Sequence, residues 1–172
     1  MASDLGIELG YFNYVSDDVV VIADAEQMKR VVNNIISNSV KYMDKPKGII
    51  NIRIKDVGDF IQVEIEDNGR GIAAKDLPNI FDRFYRTDAS RNSSQGGSGI
   101  GLSIVRKIIE DHGGRIWATS RLGIGTEMHF VLRKYQEVPQ TEPSVPESDR
   151  RGGSNKKESG KKDSGKKEKS SK

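Results

Sequence analysis

Asp67-Asn68-Gly69-Arg70-Gly71 stands directly after an alternating run, Phe60-Ile61-Gln62-Val63-Glu64-Ile65, that reads as a β-strand. A carboxylate at a strand end can accept a hydrogen bond from a flat ligand. Two glycines spaced two apart let the backbone turn sharply and come close to it. By itself the pattern describes a tight turn with a solvated aspartate equally well.

Three further groups have chemistry in their spacing. Asn34, Asn38 and Lys41 fall at i, i+4 and i+7, so on a helix they share one face. An amide oxygen is a hard, neutral ligand suited to Mg²⁺, and lysine adds a positive charge for phosphate. On that helix alone a solvated polar face is the more economical reading. Gly96-Gly97-Ser98-Gly99-Ile100-Gly101-Leu102 opens a second helix. Free N–H groups and the positive dipole end favour phosphate there over a bare linker. No Gly-Lys-Ser/Thr follows, so it is not a P-loop, and no strand precedes it as in a dinucleotide fingerprint. Gly123-Ile124-Gly125-Thr126 fits a plain hairpin turn at least as well as a ligand contact.

The elements that must position these groups follow from periodicity. Residues 7–15 and 19–23 read as strands joined by a turn at Asp17-Asp18. Asp24 with Gln27 three residues on has the capping-box pattern, opening a helix to about Met43. Its buried stripe is Met28, Val31, Val32, Ile35, Ile36, Val40 and Met43. Residues 49–55 and 60–66 alternate as a hairpin, and residues 75–80 form a short helical piece. Ile100–His112 is a second helix with Ile100, Ile104, Val105, Ile108 and Ile109 inward, stopped by Gly113-Gly114. Residues 115–120 and 126–132 are the last strands. This order predicts an α+β sandwich, a mixed, mostly antiparallel sheet with helices on one face.

Composition narrows the function. Of 28 basic and 25 acidic residues, 10 basic and 3 acidic fall in Arg150–Lys172, which leaves 18 basic and 22 acidic for the rest. The basic balance belongs to the tail, whose charges are spaced by Gly and Ser without aromatics, so no nucleic-acid partner is expected. Residues 136–172, rich in Pro and then Lys, Ser and Gly, are expected to be disordered. Cysteine is absent, which excludes disulfides and thiolate metal sites. No apolar run is long enough to span a membrane, and the start lacks the pattern of a signal peptide, so a soluble chain is expected.

In this order the pieces resemble the ATP-binding catalytic domain of bacterial sensor histidine kinases. That domain belongs to the superfamily of gyrase, chaperone, kinase and MutL ATPases with the Bergerat (GHKL) fold. The resemblance covers about residues 20–133. It consists of an N box at 34–42, a glycine box at 67–71, an F box at 80–86 (Ile-Phe-Asp-Arg-Phe-Tyr-Arg) and a second glycine box at 97–102. It implies a catalytic domain at 20–135, with 1–19 the stub and first strand after a dimerisation and histidine-phosphotransfer hairpin, and 85–98 a mobile ATP lid.

Carried over residue by residue, the resemblance has Asp67 accepting the adenine amino group. Gly69 and Gly71 let the base approach the backbone. Asn38 ligates Mg²⁺ on the phosphates, and Asn34, Lys41 and Tyr42 surround the triphosphate. Tyr85, Arg86 and, less directly, Arg91 approach the phosphates from the lid. Gly97, Gly99, Gly101 and Leu102 face them at the helix start, and Thr126 supports the adenine end. Asn34, Lys41 and Arg86 are the residues implied in transfer. Phe81 and Phe84 are packing or hinge residues. The implied activity is transfer of the γ-phosphoryl of Mg-ATP to a histidine, in a two-component system with a response regulator downstream. The domain alone is expected to be a cytoplasmic monomer, although the parent kinase can be membrane-anchored.

Two departures bear on this. The only histidines, His112 and His129, lie at a helix end and in a strand, neither in a helical hairpin, so the acceptor is expected on another domain. ATP-hydrolysing relatives carry a glutamate where this chain has Asn34, and an amide cannot act as a general base. That argues for a kinase over an ATPase. An anti-sigma-factor serine kinase and a nucleotide-sensing module without transfer remain as alternatives.

Overall fold

The computed structural model describes residues 5–87 and 100–138. Helix α1 is Ala25–Lys41, with Asp24 as its N-cap in extended backbone. The Asp24 carboxylate accepts the Gln27 N–H at 3.0 Å, satisfying one donor that a helix start leaves open. The Asp24 N–H, which a capping box would give to the Gln27 side chain, donates instead to His112 Nε2 at 3.1 Å. His112 Nδ1 lies 2.7 Å from the Ile108 carbonyl oxygen, so the network assigns the proton to Nδ1 and leaves Nε2 as acceptor. We expect Asp24→Ala to cost about 1 kcal/mol. A lower urea midpoint with an unchanged slope would be the sign of it.

Along α1, Val31 and Ile35 are fully buried, and Met28, Val32, Ile36 and Val40 pack against them as the stripe requires. The helix stops at Lys41, with Tyr42 as C-cap, rather than running to Met43. Helix α2 is Gly101–Asp111 and buries Val105, Ile108 and Ile109. It ends in a Schellman motif: Gly113 N–H bonds to the Glu110 carbonyl and Gly114 N–H to that of Ile109, both at 2.9 Å. Gly113 takes the left-handed φ of 73° that the motif needs.

Five strands form one mixed sheet: β1 (Ile7–Asn13), β2 (Gly48–Val57), β3 (Phe60–Asp67), β4 (Arg115–Arg121) and β5 (Gly125–Arg133). Their order is β1-β2-β3-β5-β4, with β1 parallel to β2 and every other pair antiparallel. Alternation sends Ile50, Val63, Ile65, Ile116, Met128, Phe130 and Leu132 to the face that the helices cover. The other face carries charge. Arg53 reaches Glu64 at 3.2 Å, Glu66 at 2.6 Å and Glu127 at 3.2 Å, and Lys55 reaches Glu64 at 2.8 Å. Trp117 and His129 stack beside them with ring centroids 5.2 Å apart. Burial pushes the Glu64 carboxyl up, but its bonds from Lys55, Arg53 and Gln62 outweigh that and hold it below the ordinary carboxylate range.

The run Val19–Ala23 is not a strand. Only Val21 bridges, to Lys134, and Val20 accepts from the Tyr135 N–H at 2.8 Å. The first strand also ends at Asn13, short of Val15. β-branched residues favour a ladder only where one is available, and this run meets just the last residues beyond β5. Residues 75–80 shrink to a 3₁₀ turn at Leu77–Asn79 around Pro78.

All these elements lie in one unit, Met1–Gln136. Of a second unit, Glu137–Lys172, only 137 and 138 are described, so the tail expected to be disordered lies outside the described residues. Among the described residues no helix is long and apolar enough to cross a membrane.

Candidate functional site

The end of β3, the last turn of α1, the start of α2 and the segment at 85–87 close around a cavity of about 330 Å³. Asp67, the last residue of β3, faces Thr126 across the β3–β5 ladder. One carboxylate oxygen accepts the Ser39 hydroxyl at 2.7 Å and the other the Gly69 N–H at 2.9 Å. Burial raises the Asp67 pKa above its ordinary value, against the donors Ser39, Gly69 and Thr126. These bonds fix the carboxylate's orientation while leaving acceptor capacity for a donor in the cavity. Asp67 is the only acid among the lining residues described.

The glycines serve close packing of backbone on backbone. A side chain on Gly71, where φ is 73°, would come within 2.2 Å of the Arg121 carbonyl oxygen, and one on Gly69 within 2.8 Å of that of Tyr42. The β4–β5 turn therefore sits against the glycine box, and the Gly123 N–H bonds to the Arg70 carbonyl at 2.6 Å. Ser120 finishes the join, accepting the Ile72 N–H at 2.8 Å and bonding Thr126 Oγ1 at 2.9 Å. The space left by the missing side chains is thus filled by the protein's own chain, although Gly71 still lines the cavity.

Cations gather along the lining as well. Lys41 and Arg70 both lie over the Tyr42 ring, at 5.1 and 4.5 Å from its centroid, and Arg86 lines the same cavity. Such cations suit a polyanion, and the single acid in the same lining suits a donor.

The structure therefore brings Asn38, Lys41, Tyr42, Asp67, Gly71, Tyr85, Arg86, Gly101, Leu102 and Thr126 to one cavity. Gly69 lies just behind it, buried against the end of α1. Asn34, one turn before Asn38, is half-buried and does not line the cavity. Arg91, Gly97 and Gly99, with most of the expected lid, lie outside the described residues. Phe81 is buried in the core, whereas Phe84 is 62% exposed and has a φ of 65°.

Two contributors escaped the sequence reading. Arg70 was visible only as a variable position between two glycines. Ser39 had a signal: it continues Val31 and Ile35 at i+4 spacing, so it is the polar member of a buried stripe.

Residues 23–136 match the family model described as Histidine kinase-, DNA gyrase B-, and HSP90-like ATPase. The chain is 38% identical over 128 residues to the sensor histidine kinase WalK of Bacillus subtilis, covering 73% of this chain and 21% of that protein. It is 39% identical over 132 residues to the sensor histidine kinase CusS of Escherichia coli O157:H7, covering 77% and 26%. The chain thus spans about a fifth to a quarter of the length of these curated relatives. Among solved structures, the mycobacterial sensor histidine kinase MprB superposes with a TM-score of 0.67 at 28% identity, over 77% of this chain and 87% of that one.

Proposed function

Because the chain belongs to the family of histidine kinase-, DNA gyrase B- and HSP90-like ATPases, we propose that it binds ATP with Mg²⁺ and donates the γ-phosphoryl group to a histidine on a separate helical domain. The observation that carries this reading is the half-buried Asp67 carboxylate, oriented by Ser39 and Gly69 at the wall of the cavity. A partly desolvated acceptor so fixed suits an exocyclic amino group, and adenine offers one. Thr126, bonded to Ser120 beside Asp67, supports that end, with Gly69 and Gly71 keeping the glycine box tight behind it.

The residues present fit Mg²⁺. Asn38 offers a hard, neutral oxygen, and no acid other than Asp67 lines the cavity among the described residues. One protein ligand suits an ion that keeps its waters and binds phosphate oxygens. When bound, Mg²⁺ would neutralise charge on those oxygens. Lys41, Tyr42 and Arg86 would hold the triphosphate, Gly97, Gly99, Gly101 and Leu102 would face it at the helix start, and Arg91 would approach it from the lid. Phosphoryl transfer needs positioning and charge stabilisation more than covalent help. The bond from the β,γ-bridging oxygen to the γ-phosphorus breaks as the histidine nitrogen bonds to that phosphorus, and ADP leaves. Asn34 stands where a hydrolysing enzyme would need a base, and an amide cannot take the proton from water.

In this reading the acceptor is the dimerisation and phosphotransfer domain of a two-component kinase, in the cytoplasm, with a response regulator downstream. The test uses γ-labelled ATP and Mg²⁺, reading bound nucleotide, free phosphate and covalent label together. Binding without turnover is expected, followed by label on a histidine-bearing hairpin added in trans. Sustained phosphate release by the chain alone would move it to the ATPases instead.

A further inference from the structure

Asp76 is a buried acid, 8% exposed, that does not line the cavity. Its carboxylate accepts a short hydrogen bond from the Tyr85 hydroxyl. The backbone of Asp76 is itself fixed on both sides, since its N–H bonds to the Ala73 carbonyl and its carbonyl accepts the Asn79 N–H, both at 2.9 Å. Tyr85 and Arg86 do line the cavity. Between them and the buried Phe81 lies a turn closed by the Tyr85 N–H on the Asp82 carbonyl at 3.2 Å. Phe84 occupies its left-handed position at a φ of 65°, a conformation that side chains other than glycine rarely adopt. With its ring 62% exposed, Phe84 is not held there by packing, so the restraint must come from its neighbours.

We propose that Asp76 is a positioning residue of the nucleotide site: through the Tyr85 hydroxyl it holds Tyr85 and Arg86 against the cavity without touching the nucleotide. This rests on the ATP reading above. A phenol has one proton, and while that proton is given to Asp76 it is not available to a phosphate oxygen. Tyr85 therefore contributes its ring and its place in the chain. The Asp76 carboxylate, which would repel a triphosphate, stays outside the lining.

The test measures Mg-ATP affinity by calorimetry on the full chain, together with amide exchange of residues 82–87 in the nucleotide-free state. Asp76→Ala should weaken binding about tenfold, the loss expected for a hydrogen bond to a charged group. Tyr85→Phe should weaken it by a similar factor, and the double variant by no more than either alone. Asp76→Asn keeps an acceptor and should retain most of the affinity, which a general structural role for the charge would not allow. Exchange over 82–87 should rise alike in Asp76→Ala and Tyr85→Phe. If Asp76→Ala fails to fold, Asp76→Asn and Tyr85→Phe still decide the matter. Losses that multiply in the double variant, or Tyr85→Phe with unchanged affinity and exchange, would overturn the proposal while leaving the ATP site intact. A parent chain that binds no ATP would overturn the site reading, and this role with it.

Discussion

Asp67→Asn is expected to lower ATP affinity by at least about a hundredfold, as when a polar contact built for one partner is mismatched. The nucleotide-free fold should meanwhile be as stable as the parent, or more so, at pH 7. The affinity loss follows from chemistry. A carboxylate only accepts, whereas an amide turned to keep the Gly69 N–H bond presents a donor on its other atom. The stability result follows from the sign of the pKa shift. Burial raises the Asp67 pKa. A carboxyl raised in the folded state favours folding fully below its unfolded pKa and loses that contribution as pH rises through the folded value. At pH 7 the ionised group therefore opposes folding, and the amide removes that opposition. Its Oδ1 can accept from Gly69 and its NH₂ can donate to Ser39, so these two bonds have replacements. Paired thermal melts from pH 3.5 to 8 should show the parent losing ground to the variant as pH rises. A large fall in melting temperature at pH 7 would mean that Asp67 is a structural residue first.

Arg53→Met should have the largest effect on the fold itself, about 2–3 kcal/mol. Glu64, with a side chain 6% exposed on the charged face of the sheet, would then be left with Lys55 and Gln62 as donors. The pair with Glu66 contributes little, since that side chain is 46% exposed. This lies at or just below the lower end of the range for a broken buried pair because Lys55 stays. Here the sign is opposite to that of Asp67. Glu64 is held below the ordinary range, so its contribution is present above the unfolded carboxyl pKa and is lost as pH falls through the folded one. The penalty of the substitution should accordingly shrink in acid, where Glu64 is protonated in both proteins. Urea unfolding at pH 7 and at about pH 2.5, below the lowered carboxyl, checks it, and a penalty independent of pH would assign the effect to packing of the arginine stem.

Much of this was readable in the sequence because it is local. The Asp24 cap, the α1 stripe and the β2–β3 hairpin each depend on spacings of a few residues, and each formed where those spacings put it. Asp67 was readable for the same reason, as an acid at a strand end with glycines after it. What failed depended on partners far away in the chain. Val19–Ala23 has the residues of a strand, but a strand needs a ladder, and nothing in those five residues reports that just Lys134 and Tyr135 stand beside them. His112 suited a helix terminus, yet its bond to Asp24 spans 88 residues and could not be read from either end. Asp76 lay in a polar stretch and gave no sign that it would be buried beneath a tyrosine.

The bond from Asp24 to His112 also sets the mechanics of the site. It ties the N-cap of α1 to the C-cap of α2, so the two helices run in opposite directions and their other ends meet at the cavity. Helix α2 is then a rod pinned at its far end and loaded at its near one. Eleven residues make a lever arm of about 16 Å, on which a tilt of roughly 10° carries Gly101 about 3 Å, a distance comparable to the span of one phosphate group. Any angular play at His112 would be amplified where the triphosphate would sit, so that remote joint, together with the buried Val105, Ile108 and Ile109, would limit how far the near end travels.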